Sequence, residues 1–172
     1  VARRVWFDRV FELGLAADTL PDILERLRGT PARLEERLRG IPNAAMTPQV
    51  EGRWSIQENV GHLLDLEPLW AGRVEDLASG APRLRPADLL NRATDEARHN
   101  ESPLKEILNA FRQTRAGLVG RIESFEESDL SRTALHPRLR LPMTVVDLAF
   151  FVAEHDDHHL ARITELRRAL DV

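Results

Sequence analysis

Between Ala153 and Ile163 the chain reads AEHDDHHLARI. Histidine can be neutral near physiological pH, so its ring can offer a lone pair to a metal or accept a proton. His155 and His159 are four residues apart. On a helix they sit one turn apart on one face, and two imidazoles so placed present nitrogens to one point. A wheel at about 100° per residue puts Leu148, Val152, His155, His159, Ile163, Leu166 and Leu170 in one stripe. That stripe is the buried face of an amphipathic helix. Asp157 points to the opposite side, and Asp156 and His158 lie on the flanks. A single core histidine usually finds one hydrogen-bonding neighbour. Two stacked in an apolar stripe need two partners or one shared cation, and the shared cation is the favoured reading.

A third ligand has to come from another helix. His62, in ENVGHLLDLE, sits at the edge of an apolar arc near Leu66 and Leu69. The alternative for His62 is a boundary histidine bonded to Glu58 or Asp65. Glu58 itself reads as a helix cap rather than as a support for His62. His99 and His136 fall between helices, where polar loop residues are the expectation. Arg162, one turn beyond His159, reads as a surface ion pair in preference to an anion contact. The run from His155 to His159 imitates H-E-x-x-H, with Asp156 in the position of the base. Asp is one methylene too short for that role, and no histidine follows His159, so a protease is disfavoured.

Four helical stretches must position these residues. The first runs from Pro21 to Arg39, with Leu20, Leu24, Leu27, Leu34 and Leu38 on one face. Its stripe stays in phase across Pro31, which predicts one kinked helix instead of two. The second runs from Ser55 to Ser79 and opens on a capping box, Ser55 with Glu58. The third opens with Ser102 as N-cap and Pro103 in the first turn. The fourth begins near Thr144 and continues almost to the last residue. Strand signals are weak throughout. The expectation is an all-α four-helix bundle spanning 1–172 as a single domain. About 20 residues separate helices two and three, long for bundle neighbours, and such a crossover lets those two run parallel. The prefix 1–19, with Trp6, Phe7 and Phe11, is expected to pack on the bundle or on a second subunit.

Composition narrows the function. The 172 residues include no Cys, which excludes disulfides and thiolate metal sites. All but one of the 24 basic residues are Arg, and they interleave with acids to a net charge of −4, against nucleic acid as a partner. No apolar run reaches the roughly 18–20 residues of a membrane span. The start, VARRVWFDRVFELG, lacks the continuous apolar core of a signal peptide, so a cytoplasmic protein is expected.

With these residues in place the chain resembles the DinB/YfiT-like superfamily of metal-binding four-helix bundles. The likeness rests on RVWFDRVFELGL, LRGTPARLEERLRG, WSIQENVGHLLDLE and FFVAEHDDHHLARI. In that family a histidine from W-S-x-x-E-x-x-x-H-L and two from H-x-x-x-H on the last helix hold a divalent metal. The resemblance implies that His62, His155 and His159 do so here. It also implies an up-down-down-up course, frequent homodimers, and zinc or nickel first, with iron second. Some members resemble S-transferases that use low-molecular-weight thiols such as bacillithiol or mycothiol; others are thiol-dependent isomerases with an extra C-terminal domain. Only thirteen residues follow His159, so the isomerase activity is not expected. The expected function is metal-dependent transfer with such a thiol to a small molecule. The alternatives are a small-molecule hydrolase and a non-catalytic metal- or ligand-binding stress protein.

Overall fold

The computed structural model describes residues 3–172. Helix α1 spans Leu20–Leu38, α2 Ile56–Asp65, α3 Glu67–Ala78, α4 Arg92–Glu96, α5 Leu104–Glu123 and α6 Val145–Ala169. Strands β1 (Ala134–Leu135) and β2 (Pro142–Met143) form a small antiparallel hairpin just before α6, pairing Ala134 with Met143. That hairpin and the short α4 were not foreseen from the sequence. Four rods, α1, α2 with α3, α5 and α6, make the bundle.

Local chemistry explains the boundaries. Helix α1 runs through Pro31 without a break. Proline has no N–H for the carbonyl four residues back, and that carbonyl, of Leu27, instead faces Arg115 Nη1 at 3.5 Å. The helix expected from Ser55 to Ser79 divides at Leu66. Pro68 cannot donate to Leu64, and the ladder restarts when Trp70 N donates to the Leu66 carbonyl at 3.0 Å. Ser55 and Glu58 form the capping box foreseen for α2, and Thr144 with Asp147 forms a second one on α6. Asp147 Oδ1 also accepts from Gly14 N and Leu15 N, at 2.8 and 3.0 Å, which ties the prefix to the head of α6. The prefix packs on its own bundle: Phe11 is buried, and Trp6 meets Phe151 edge-on. The cap expected at Ser102 is corrected. Pro103 holds the capping position without a side-chain bond, and the Ser102 carbonyl accepts from Gln57 Nε2 instead.

Side-chain pairs give the direction of each rod. Arg26 reaches Asp157 and Arg37 reaches Thr164, so α1 and α6 run parallel. Arg28 pairs with Glu123 and Arg112 with Glu35, so α5 opposes α1. Gln57 meets the loop before α5, and Glu75 pairs with Arg121 near its end, so α2–α3 runs with α5. The course is up-down-down-up, with the long crossover between the two descending rods.

The apolar core has two halves. One gathers Leu24, Leu27, Trp70, Leu118 and Phe151, the other Leu34, Val60, Phe111, Leu160 and Ile163. A polar layer lies between them. Arg115 donates through its Nε and Nη2 to Glu67 Oε1 at 3.1 and 2.6 Å and through Nη2 to Asp156 Oδ1 at 3.1 Å, and its Nη1 pairs with Asp156 Oδ2. Thr30 Oγ1 donates to Asp156 Oδ2 at 2.8 Å. These charged groups are 0–2% exposed, although Asp156 was expected on a flank. Removing the shared cation would leave two carboxylates buried without it. Arg115→Ala should therefore lower unfolding free energy by about 3–5 kcal/mol in urea titrations. Arg112→Ala, which breaks a half-exposed pair with Glu35, should cost less than about 1 kcal/mol. Equal effects would mean that the buried layer contributes nothing special.

Candidate metal centre

The second polar cluster lies beside the first, on the other side of α6. Adjacent residues of that helix serve each: His155 and His159 point to one side and Asp156 to the other. From the antiparallel α2, His62 projects between the two histidines, with ring centroids 5.3 Å from His155 and 4.7 Å from His159. One ligand atom from each of the three rings lies within 4.8 Å of the others, and all three residues are buried.

Hydrogen bonds decide which nitrogens are free. Asn59 Nδ2 donates to the Ser55 carbonyl at 2.7 Å, so its Oδ1 is turned towards His159 Nδ1 at 3.0 Å. An amide oxygen only accepts, which puts the ring proton on Nδ1 and the lone pair on Nε2. His62 Nδ1 meets Thr94 Oγ1 at 2.9 Å, leaving its Nε2 without a protein partner. His155 makes no hydrogen bond to any described residue, and its Nδ1 is buried. Its ring sits edge-on to Trp6 and Trp70, at 5.0 and 5.6 Å. Three neutral rings with uncommitted lone pairs aimed at one place are a donor set that a divalent cation fits.

Burial keeps the rings neutral. It depresses His62 to about 4. His155 and His159 are held well below the ordinary range, first by burial and then by the neighbouring imidazoles. Half-buried His158 meets the Arg3 guanidinium, and burial followed by that cation lowers it to about 4.

The remaining candidates have other roles. Glu58 accepts from Ser55 N and Gln49 and does not touch His62. His99 is buried, not a free loop residue: its Nε2 meets Asp65 at 2.8 Å, and its ring lies where a Cβ on Gly61 would sit. That glycine lets the crossover close against α2 next to His62. His136 is buried as well, with both nitrogens engaged, by Arg73 and by the backbone of its own loop. Asp156 is committed to Arg115 and is not available as a base. Arg162 pairs with Glu165 at 3.3 Å. Thr94 and Asn59 were not singled out from sequence. Asn59 carried a signal, three residues before His62 on the same helix; Thr94 sits in a crossover whose path sequence does not reveal.

The three histidines open onto a cleft of about 480 Å³ walled by Trp6, Trp54, Trp70 and Phe151. No helix among the described residues is long and apolar enough to cross a membrane.

A helical bundle of this course with a buried histidine trio defines a class, and sequence comparison assigns it. The model of the DinB superfamily matches residues 26–163, and the chain belongs to that superfamily. YfiT of Bacillus subtilis (strain 168), provisionally named a metal-dependent hydrolase, is 24% identical over 150 residues, covering 86% of this chain and 83% of YfiT. The solved structure of YfiT, described as an unusual four-helix bundle, superposes with a TM-score of 0.79 at 22% identity, over 95% of this chain and 94% of that one. A mycothiol-dependent maleylpyruvate isomerase superposes with a TM-score of 0.66 at 14% identity, over 83% of this chain and 59% of the isomerase. These structural likenesses concern the fold.

The depressed histidines link the site to stability. An unfolded histidine titrates near about 6.5. Below that pH the unfolded chain takes up protons that folded His62, His136, His155 and His159 refuse, so stability must fall as pH falls. Glu67, which burial pushes up to about 6, acts in the opposite sense, but it is one group against five, since depressed His158 adds to those four. In chelator-treated protein the urea midpoint should drop between about pH 7 and about pH 5. A flat or rising midpoint would show that the rings are already charged in the fold.

Proposed function

We propose that the chain is a metal-dependent transferase that uses a low-molecular-weight thiol, with His62, His155 and His159 holding a divalent ion, zinc or nickel before iron. The observation that carries this reading is the trio of neutral, buried imidazoles at the wall of a small-molecule-sized cleft that offers no catalytic carboxylate. Among the described lining residues the one acid is Asp88, and its two oxygens accept from Leu90 N and Arg92 N. A reaction here needs a nucleophile that loses its proton readily, and a thiol is far more acidic than water. When bound, the ion supplies Lewis acidity, lowering the pKa of a thiol or water that joins it.

The chain's own residues supply the rest. Asn59 fixes the proton of His159 on Nδ1 and so keeps its Nε2 basic, and Thr94 engages Nδ1 of His62 and so turns that ring's Nε2 towards the other two histidines. Trp54 lies against His62 at 4.6 Å, and Trp6 and Trp70 flank His155, which gives the ligand side an apolar lining. Low polarity strengthens every electrostatic effect within it.

A second reading, hydrolysis of a small molecule, is favoured by the name of YfiT and requires water in the place of the thiol. The two separate in one set of assays on protein purified without a histidine tag and loaded with Zn²⁺ or Ni²⁺. The transferase reading expects one ion per chain. It expects bacillithiol, mycothiol or another small thiol to be consumed with 1-chloro-2,4-dinitrobenzene. His62→Ala, His155→Ala and His159→Ala should each lose both ion and turnover. Asn59→Ala should retain the fold but weaken zinc binding by about 10–100-fold. Turnover of nitrophenyl esters without thiol would favour the hydrolase. An ion bound with no turnover in either assay would leave a binding protein.

A further inference from the structure

The cleft has a second chemistry away from the histidines. Arg73, on α3, is buried, and Arg138 and Arg140 rise from the β1–β2 turn; all three line the cleft. None of them makes an ion pair with a described residue, unlike most of the chain's arginines. The net charge of the protein is −4, yet here three arginines face one acid, Asp88, whose oxygens are taken by the backbone of Leu90 and Arg92.

Hydrogen-bonding capacity is unbalanced in the same direction. Arg138 Nη2 is buried and has no acceptor. His136 Nδ1 faces two backbone donors, Arg138 N at 3.2 Å and Leu139 N at 3.1 Å. If that nitrogen accepts, the ring proton is on Nε2, which faces another donor, Arg73 Nη1, at 3.1 Å. Arg73 spends its Nε on the Arg85 carbonyl at 3.1 Å. Donors thus crowd the wall and acceptors are missing. Buried polar groups in folded proteins are nearly always satisfied, so a surplus of one kind marks a place for a partner of the other.

We propose that Arg73, Arg138 and Arg140, with His136, form a subsite for a carboxylate on the molecule that occupies the cleft. The distance to the histidines suits a small ligand. The Arg73 guanidinium lies 5.5 Å from the Trp70 ring centroid, and Trp70 lies 5.6 Å from His155. One aromatic ring therefore separates the anion subsite from the histidine trio. The ligand class is a short molecule with a reactive end at the histidines and a carboxylate about one ring away. The inference deepens the thiol-transfer reading and rests on it for the reactive end. The carboxylate belongs to either the thiol or its acceptor.

Calorimetry on the zinc-loaded full chain tests this with two matched pairs: 3-mercaptopropionate against 2-mercaptoethanol, and 4-chloro-3-nitrobenzoate against 1-chloro-2,4-dinitrobenzene. The carboxylate member of one pair should bind at least about tenfold more tightly, as a charge-assisted bond in a partly desolvated site predicts, and that pair identifies which substrate carries the charge. Arg138→Gln and Arg140→Gln should remove the preference while leaving the affinity for Zn²⁺ and for the neutral member unchanged. Absence of a preference in both pairs, or one that survives the double variant, overturns the subsite. The measurement needs no turnover. A carboxylate preference without thiol transfer would retain the subsite and reject the transferase, whereas transfer indifferent to charge would do the reverse.

Discussion

A helix packed on by its neighbours from several sides cannot bury consecutive titratable side chains unless each is satisfied where it points. Helix α6 meets this demand from His155 to His159 by dividing the polar groups between its faces. Asp156 turns to Arg115 and Thr30, Asp157 to Arg26 and Arg33, and His159 to Asn59, while His155 stands beside His62 with no hydrogen bond, the one group of the run left for a cation to satisfy. Both polar clusters therefore lie at one level of the bundle, and the apolar core divides above and below them. The register of all four rods follows: each must bring its polar residue, Thr30, His62 with Glu67, Arg115, or the α6 run, to that level.

The same constraint accounts for the chemistry. Three buried imidazoles placed together repel one another's protons, so they stay neutral. Their orientation depends on two neutral oxygens, of Thr94 and Asn59, which stabilise the neutral rings without charging them. Had Asp156 faced the histidines, it would have favoured their protonation. Its commitment to Arg115 keeps the acid on the far side of α6, and the Arg115 cation itself helps to hold His155 neutral.

Much of this was readable in the sequence. The leucine stripe of α1 carried through Pro31, the Ser55–Glu58 capping box lies where its spacing puts it, and α6 starts at Thr144 as expected, though its own box with Asp147 was not foreseen. His155 and His159 fall on a face that had to be inward and His62 on the edge of one, and the structure brings the three together. The wheel of a single helix failed where neighbours decide. It left Asp156 on a flank because it cannot see that α1 and α5 cover that flank. Arg115, in FRQTRAGLVG, looks like one more solvated arginine until its partners are known. The break at Leu66 had a local cause, Pro68, which the continuous apolar pattern on either side concealed. His99 and His136 were taken for loop residues because loops usually lie in water. Here the crossover closes over Gly61 and the hairpin folds back on its own histidine, so both are buried.

The central claim is that the three histidines form one divalent-metal site. Diffraction at the zinc and nickel absorption edges, on crystals of tag-free protein grown with each ion, tests it most directly. The account predicts one anomalous peak per chain, about 2.0–2.1 Å from Nε2 of His62 and His159 and from one nitrogen of His155. No peak there, with the three rings bonded to one another or to water, would contradict it.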